Sequence, residues 1–348
     1  MTVFAILVGA NFPLVHLGRA WKLMYFIPVP NQRGLWPNFR SPLLWDIMAI
    51  NTYVIGSSLF LYLGMLPDLA VLRDRSTGWR HTVYSFLAMG WRGTAKEWRI
   101  FARASTMMAV LIIPVAVSVH SIVSWDFAMT LVPGWHSTIF APYFVIGAIY
   151  SGVAAVITLM VFIRRAFHLQ DYLRPIHFDN MAKILLVIAL LWSYVYFAEV
   201  LTIWYGHKPI EWEVFSFTAT KYWYLLGLMV LGNTFITIPA LCFRKIRRST
   251  GALLFISLFV NVGMFIERFL IVVPVLSHRN VPFVWGEYSP TWVEVSIMAA
   301  AFAGFGLLYT LFSKFFPMVS LNDMEEGRNV VLRNRLGRTT VETVVMED

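Results

Sequence analysis

Between Arg103 and Asp126 the chain runs for 22 residues without one Asp, Glu, Lys or Arg. A run of that length spans the hydrocarbon core of a bilayer, because a helix rises about 1.5 Å per residue and the core is about 30 Å thick. Similar runs recur along the sequence. They predict about eight spans, at 2–18, 44–66, 103–124, 138–163, 181–205, 220–241, 251–275 and 291–316. The expectation is an all-α, polytopic transmembrane helical protein, because lipid offers no partner for an open backbone N–H or C=O. Charged residues make up 14% of the chain, against about 25% in soluble domains. Segment 67–102 mixes Trp, Phe and Leu with Arg and Lys, the composition of an amphipathic helix at the lipid–water boundary. The tail from Leu321 is polar and is expected to carry little order. The opening residues lack a basic n-region and a small-residue cleavage site, so no cleavable signal peptide is expected.

The net charge of +9 reads as topology rather than as nucleic-acid binding, since the cations sit in particular loops. The 2–3, 4–5 and 6–7 loops hold seven, four and four Lys or Arg; the loops on the other side hold four, none, two and one. The positive-inside rule places the first group, and the C-terminal tail, in the cytoplasm. The multi-pass chain is then expected in a bacterial inner membrane, surrounded by lipid. In that orientation His16, Asp46, His120, Asp126 and His136 all fall at the outer ends of spans. Ionisable groups at membrane depth are costly, so their convergence is read as a functional site. The lone cysteine, Cys242, excludes an internal disulphide and a four-cysteine iron–sulphur cluster.

The segments HLGRAW, GLWPNFRSPLLWD, LPDLAVLRDR, LAMGWRGTAKEW, VSVHSIVSWDFA, PGWHSTIFAPYFVIGAIYSG, HFDNMAK, NVGMFIERF and YSPTW together resemble the NrfD/polysulphide-reductase membrane-subunit family. The resemblance is strongest to the quinol-oxidising membrane subunits of alternative complex III. It implies NrfD-like paired four-helix bundles, and a chain lacking the family's first two helices. On that pattern residues 1–136 hold the quinol-site helices and interfacial segment, 137–275 the second four-helix bundle, 291–316 the last span and 321–348 a cytoplasmic tail. It also implies a subunit of a respiratory or photosynthetic electron-transfer complex. Quinol, menaquinol in the first place, would be the substrate, with no haem, iron–sulphur cluster or metal held by this chain. The implied partners are an iron–sulphur subunit at the periplasmic face, a multihaem cytochrome c and further membrane subunits. The family's quinol-site residues fall on His16, Asp46 and Asp126; Ala20 stands where the first motif usually has Pro.

Quinol oxidation needs a slot for a flat ring, a partner for each hydroxyl and a proton acceptor that works near neutral pH. His16 with Asp46 or Asp126 meets that description. The plainer readings are a helix-end histidine at His16 and capping acids at Asp46 and Asp126. His120 is read as site wall or helix packing, and His136 as facing a partner subunit. Trp125 and Trp135 are interface-belt aromatics by default, with Trp125 also a possible wall. Arg19 and Arg40 are surface anchors or counter-charges for Asp46. A second polar set, His177, Asp179, Lys183, Glu199, Glu267 and Arg268, reads as a proton path or, in the plainer view, as an ion pair holding the second bundle. Competing functions are a quinone-reducing anchor of a molybdopterin oxidoreductase of the polysulphide-reductase type, a haem-b cytochrome, a secondary transporter hinted at by Gly232, Pro239 and Gly263, and a purely structural anchor.

Overall fold

The computed structural model describes residues 1–16, 19–277, 286, 288–317, 320, 330–336 and 339–345; the side chains of residues 16, 20, 23, 26, 330–336 and 339–345 are not described. In chain order the helices are α1 (Thr2–Gly9), α2 (Phe12–His16), α3 (Pro42–Arg75), α4 (Trp79–Leu87), α5 (Ala95–Ala128), α6 (Phe140–Ala166), α7 (Pro175–Gly206), α8 (Pro209–Lys221), α9 (Trp223–Val230), α10 (Thr237–Cys242), α11 (Arg244–Arg247), α12 (Thr250–Ser277) and α13 (Trp292–Phe315). A 3₁₀ turn occupies Ala20–Phe26, and a π-helical turn at Leu231–Ile236 joins α9 to α10. Among the described residues, seven helices are long and apolar enough to cross a membrane, counting α9 through α10 as one. The chain is thus a polytopic membrane protein built of helices.

Three sequence expectations change. The first span, expected over 2–18, is two short helices; the apolar stretch Thr2–Val15 is about 21 Å long as a helix, less than the bilayer core. The interfacial helix expected across 67–102 is confined to α4, because α3 runs on to Arg75 and α5 begins at Ala95. The tail, expected without order, carries a two-stranded antiparallel hairpin, β1 (Val330–Leu336) and β2 (Thr339–Val345), with Val330 opposite Val345.

Contacts divide the chain into two units. The first comprises Met1–Pro37, Ile47–Ala116 and Thr291–Asp348; the second comprises Asn38–Asp46 and Val117–Pro290. In the first unit Phe4 of α1 packs edge-on against Tyr309 and Phe312 of α13. The Tyr84 hydroxyl donates to the Phe315 carbonyl at 2.7 Å, which ties α4 to the end of α13. Leu69, Ala70, Tyr84 and Ala88 form a small core there.

The second unit is a bundle of α6, α7, the α9–α10 span and α12. Its core stripes recur every three or four residues: Tyr143, Gly147, Tyr150, Ala154, Ile157 and Val161 on α6, and Phe178, Ala182, Leu185, Ala189 and Trp192 on α7. That period keeps one face of each helix turned to its neighbours. Small residues let backbones approach where lipid supplies no hydrophobic drive.

The π turn has a local cause. Pro239, one turn on, has no N–H to donate into the ladder. Side chains take up neighbouring carbonyls instead: Tyr150 Oη donates to Asn233 O at 2.8 Å, and Thr237 Oγ1 donates to Gly232 O at 2.7 Å. A Cβ at Gly232 would meet the Phe259 ring at 2.6 Å, and that ring is itself stacked on Phe255. Gly232→Ala is therefore expected to destabilise the protein by about 1–3 kcal/mol through overpacking, read as a lower melting temperature in detergent. An unchanged melting temperature would mean that the ring is free to move aside.

Candidate functional site

Asp46 lies one turn into α3 and Asp126 in the last turn of α5, and both belong to the second unit. Each carboxyl group is preceded by a tryptophan. The Trp45 and Trp125 rings meet edge to face, with centroids 6.1 Å apart and planes at 80°. Trp45 is held further by its own indole N–H, which donates to the Phe39 carbonyl at 2.7 Å. The two carboxyl groups are near enough to influence each other electrostatically. Asp46 Oδ1 and Asp126 Oδ1 are both buried, with no hydrogen-bond partner among the described residues.

That arrangement is uncommon. A buried polar atom without a partner costs about 1–3 kcal/mol, and native proteins carry few of them. The capping role open to Asp46 does not account for its Oδ1, which takes no backbone N–H. Two unsatisfied acceptors beside two aromatic faces can receive a flat ligand that carries hydroxyl donors. They can also exchange protons with it.

The other expected residues fall around or apart from this pair. His16 ends α2, and its side chain lies outside the described residues. His120 is half-buried on α5, two turns before Asp126, and has an interaction partner. Trp125 is 38% exposed, which leaves one face open beside Asp126. Arg19 and Arg40 are exposed, as is His136. Trp135 departs from the expected interface position: it is buried, its Nε1 donates to the Ile271 carbonyl at 2.7 Å, and Phe127 packs on its ring.

The second polar set separates into two places. Asp179 is nearly buried at the start of α7 and is clamped by Lys183 Nζ and Arg247 Nε, each at 2.8 Å. Arg247 Nη1 also donates to the carbonyls of Leu241 and Cys242. The clamp therefore closes the end of α10 onto α7, and His177 lies exposed nearby in sequence. Deeper in the bundle, Glu267 pairs with Arg268 Nε at 3.2 Å and accepts from Trp192 Nε1 at 3.3 Å. Arg268 lies over the Phe144 ring at 4.1 Å. The ion pair expected from the plainer reading is thus present, between Glu267 and Arg268. Glu199 accepts from Ser137 Oγ at 2.7 Å.

Sequence reasoning passed over Trp45, Tyr143 and Tyr196. A signal for Tyr196 existed: Trp192, Tyr196 and Glu199 are spaced i, i+4, i+7, one face of a helix. Trp45 had a weaker one, since a Trp precedes both Asp46 and Asp126.

Comparison with known proteins gives two matches. The family model described as "Polysulphide reductase, NrfD" matches residues 1–278. A Halobacterium salinarum protein named "Putative dimethyl sulfoxide reductase membrane subunit" is 29% identical over 160 residues, 45% of this chain. The match spans 32% of that relative's length.

Proposed function

This chain belongs to the polysulphide reductase, NrfD family of membrane subunits of redox complexes, and from that premise we propose that it is a quinol-binding, quinol-oxidising subunit of a multi-subunit oxidoreductase. The observation that carries the reading is the pair of buried, partnerless oxygens on Asp46 and Asp126 beside Trp45 and Trp125. The ring of the quinol lies against the tryptophans, and its two hydroxyls donate to the two carboxyl groups. Oxidation releases two protons to those carboxyl groups, with His16 as a further acceptor, and two electrons to an iron–sulphur partner subunit. Quinone then leaves to the membrane pool.

Of the two complexes suggested by the sequence, a molybdopterin oxidoreductase is favoured over alternative complex III. The relative with matching sequence is named as a membrane subunit of a dimethyl sulfoxide reductase. A reductase consumes electrons, which fits quinol as the donor. Helix α13 has no buried residue, which leaves its flanks for lipid or for further membrane subunits.

Photo-labelling of the purified complex with an azido-quinone tests the site. The label is expected on the peptides containing Trp45–Asp46 and Trp125–Asp126, and excess quinol should prevent it. Labelling that spares both peptides overturns the assignment. A Trp45→Phe variant removes the N–H held by Phe39 while keeping a ring. It is expected to raise the apparent KM for quinol about threefold to tenfold, the effect of about one lost hydrogen bond, with little change in assembly. An unaltered KM would place Trp45 outside the slot.

A further inference from the structure

The second unit encloses a cavity of about 110 Å³ that none of the preceding roles uses. One water needs roughly 10–15 Å³ on such a measure, so the space takes a ring-sized ligand rather than a single water. Its lining is mostly apolar, with Phe140, Tyr143, Tyr196 and Phe215 supplying aromatic surface and Met229 and Leu270 aliphatic surface. Small-molecule sites share this character: an apolar concavity with a few convergent polar groups. Here the polar groups include Glu199 and Glu267, which come from different helices.

We propose that this cavity is a second binding site for a quinol headgroup, with Glu199 and Glu267 accepting its two hydroxyls and Tyr196 lying against its ring. The site rests on the reading of the chain as a quinol-handling subunit, but on different residues. Three features of the bundle support it. Trp192 and Tyr196 stack with planes 7° apart and centroids at 5.4 Å, so Tyr196 has a fixed orientation. Trp192 Nε1 donates to Glu267 Oε1, which fixes the depth of Glu267 near the level of Trp192. Glu199 follows Trp192 by seven residues, about 10.5 Å along the helix. A para-dihydroxy ring with one hydrogen bond at each end spans about 11 Å. The acceptors are also held ready: Ser137 orients Glu199, and Arg268 orients Glu267 while itself resting on Phe144. Both carboxyl groups keep acceptor capacity, because each oxygen offers two lone pairs.

The experiment is a fluorescence-quenching titration of the purified complex with a hydroxyquinoline N-oxide quinol analogue, comparing variants with wild type. Asp46→Asn with Asp126→Asn is expected to remove one analogue per chain and leave a second. Met229→Trp, which fills the cavity, is expected to remove the second and leave the first. Glu199→Gln keeps shape and an acceptor for Ser137, so it guards against a folding failure of the larger change; it is expected to weaken the second site at least fivefold. If Met229→Trp and Glu199→Gln both leave the titration as in wild type, the cavity holds water only and the proposal is overturned. If the Asp46/Asp126 variant leaves binding intact while Glu199→Gln removes it, the first site is wrong and the cavity site stands.

Discussion

Asp126→Asn is expected to lower quinol-dependent turnover of the assembled complex about 100-fold or more, the effect of removing a positioned proton acceptor. Asn keeps the shape of the side chain and the packing of Trp125 on Trp45. It cannot take a proton from a quinol hydroxyl. Asp46→Asn is expected to do the same, for the same reason. Because the two carboxyl groups share one ligand, the double variant should be little worse than either single one; residues that act as a unit are not additive. The measurement is steady-state oxidation of a water-soluble quinol, normalised to the amount of assembled complex. A loss below threefold for both single variants would remove the pair from the chemistry and leave its unpaired oxygens without a role. Equal losses in turnover and in complex abundance would instead assign the pair to assembly.

Arg247→Met is expected to destabilise the protein by about 3 kcal/mol. The guanidinium makes an ion pair with the nearly buried Asp179 and donates to the last carbonyls of α10. Removing one member of a buried pair leaves the other charge uncompensated, which costs about 3–5 kcal/mol. Lys183 offsets part of that, since it also contacts Asp179 at 2.8 Å, but it is half-exposed and screened. Arg247→Lys should recover only a fraction, because an ammonium cannot reach the carboxylate and two carbonyls in one fork. Asp179→Leu combined with Arg247→Met should be more stable than Arg247→Met alone. Thermal inactivation of the complex reads all three. If Arg247→Met melts with wild type, the clamp contributes nothing and Asp179 is free for a role in proton movement.

Most of the helices are legible in the residue pattern alone. An apolar run longer than about 18 residues has one solution in lipid, because every backbone group must find its partner inside the segment. Spans built on 104–125 or 251–275 follow from that alone. The first expected span fails for the same physics: the run is there, but a break between Gly9 and Phe12 leaves two helices too short to cross. Trp135 shows the opposite limit. Its type and its place beside a span favour the interface, yet a carbonyl at Ile271 and the Phe127 ring hold it inside.

Residue types and spacing by themselves determined that this is a multi-pass helical membrane protein, and that Asp46 and Asp126 deserved suspicion as acids at membrane depth. Only the tertiary structure decided which partners each acid has. Asp179 is neutralised by two cations, Glu267 by one, and Asp46 and Asp126 each retain an oxygen with no partner among the described residues. Sequence distance carries no information on that point: Asp179 and Arg247 lie 68 residues apart, while Asp46 and Asp126 lie on helices separated by a loop, a short helix and a second loop. A carboxyl group's role follows from what it touches, and contact is settled by packing.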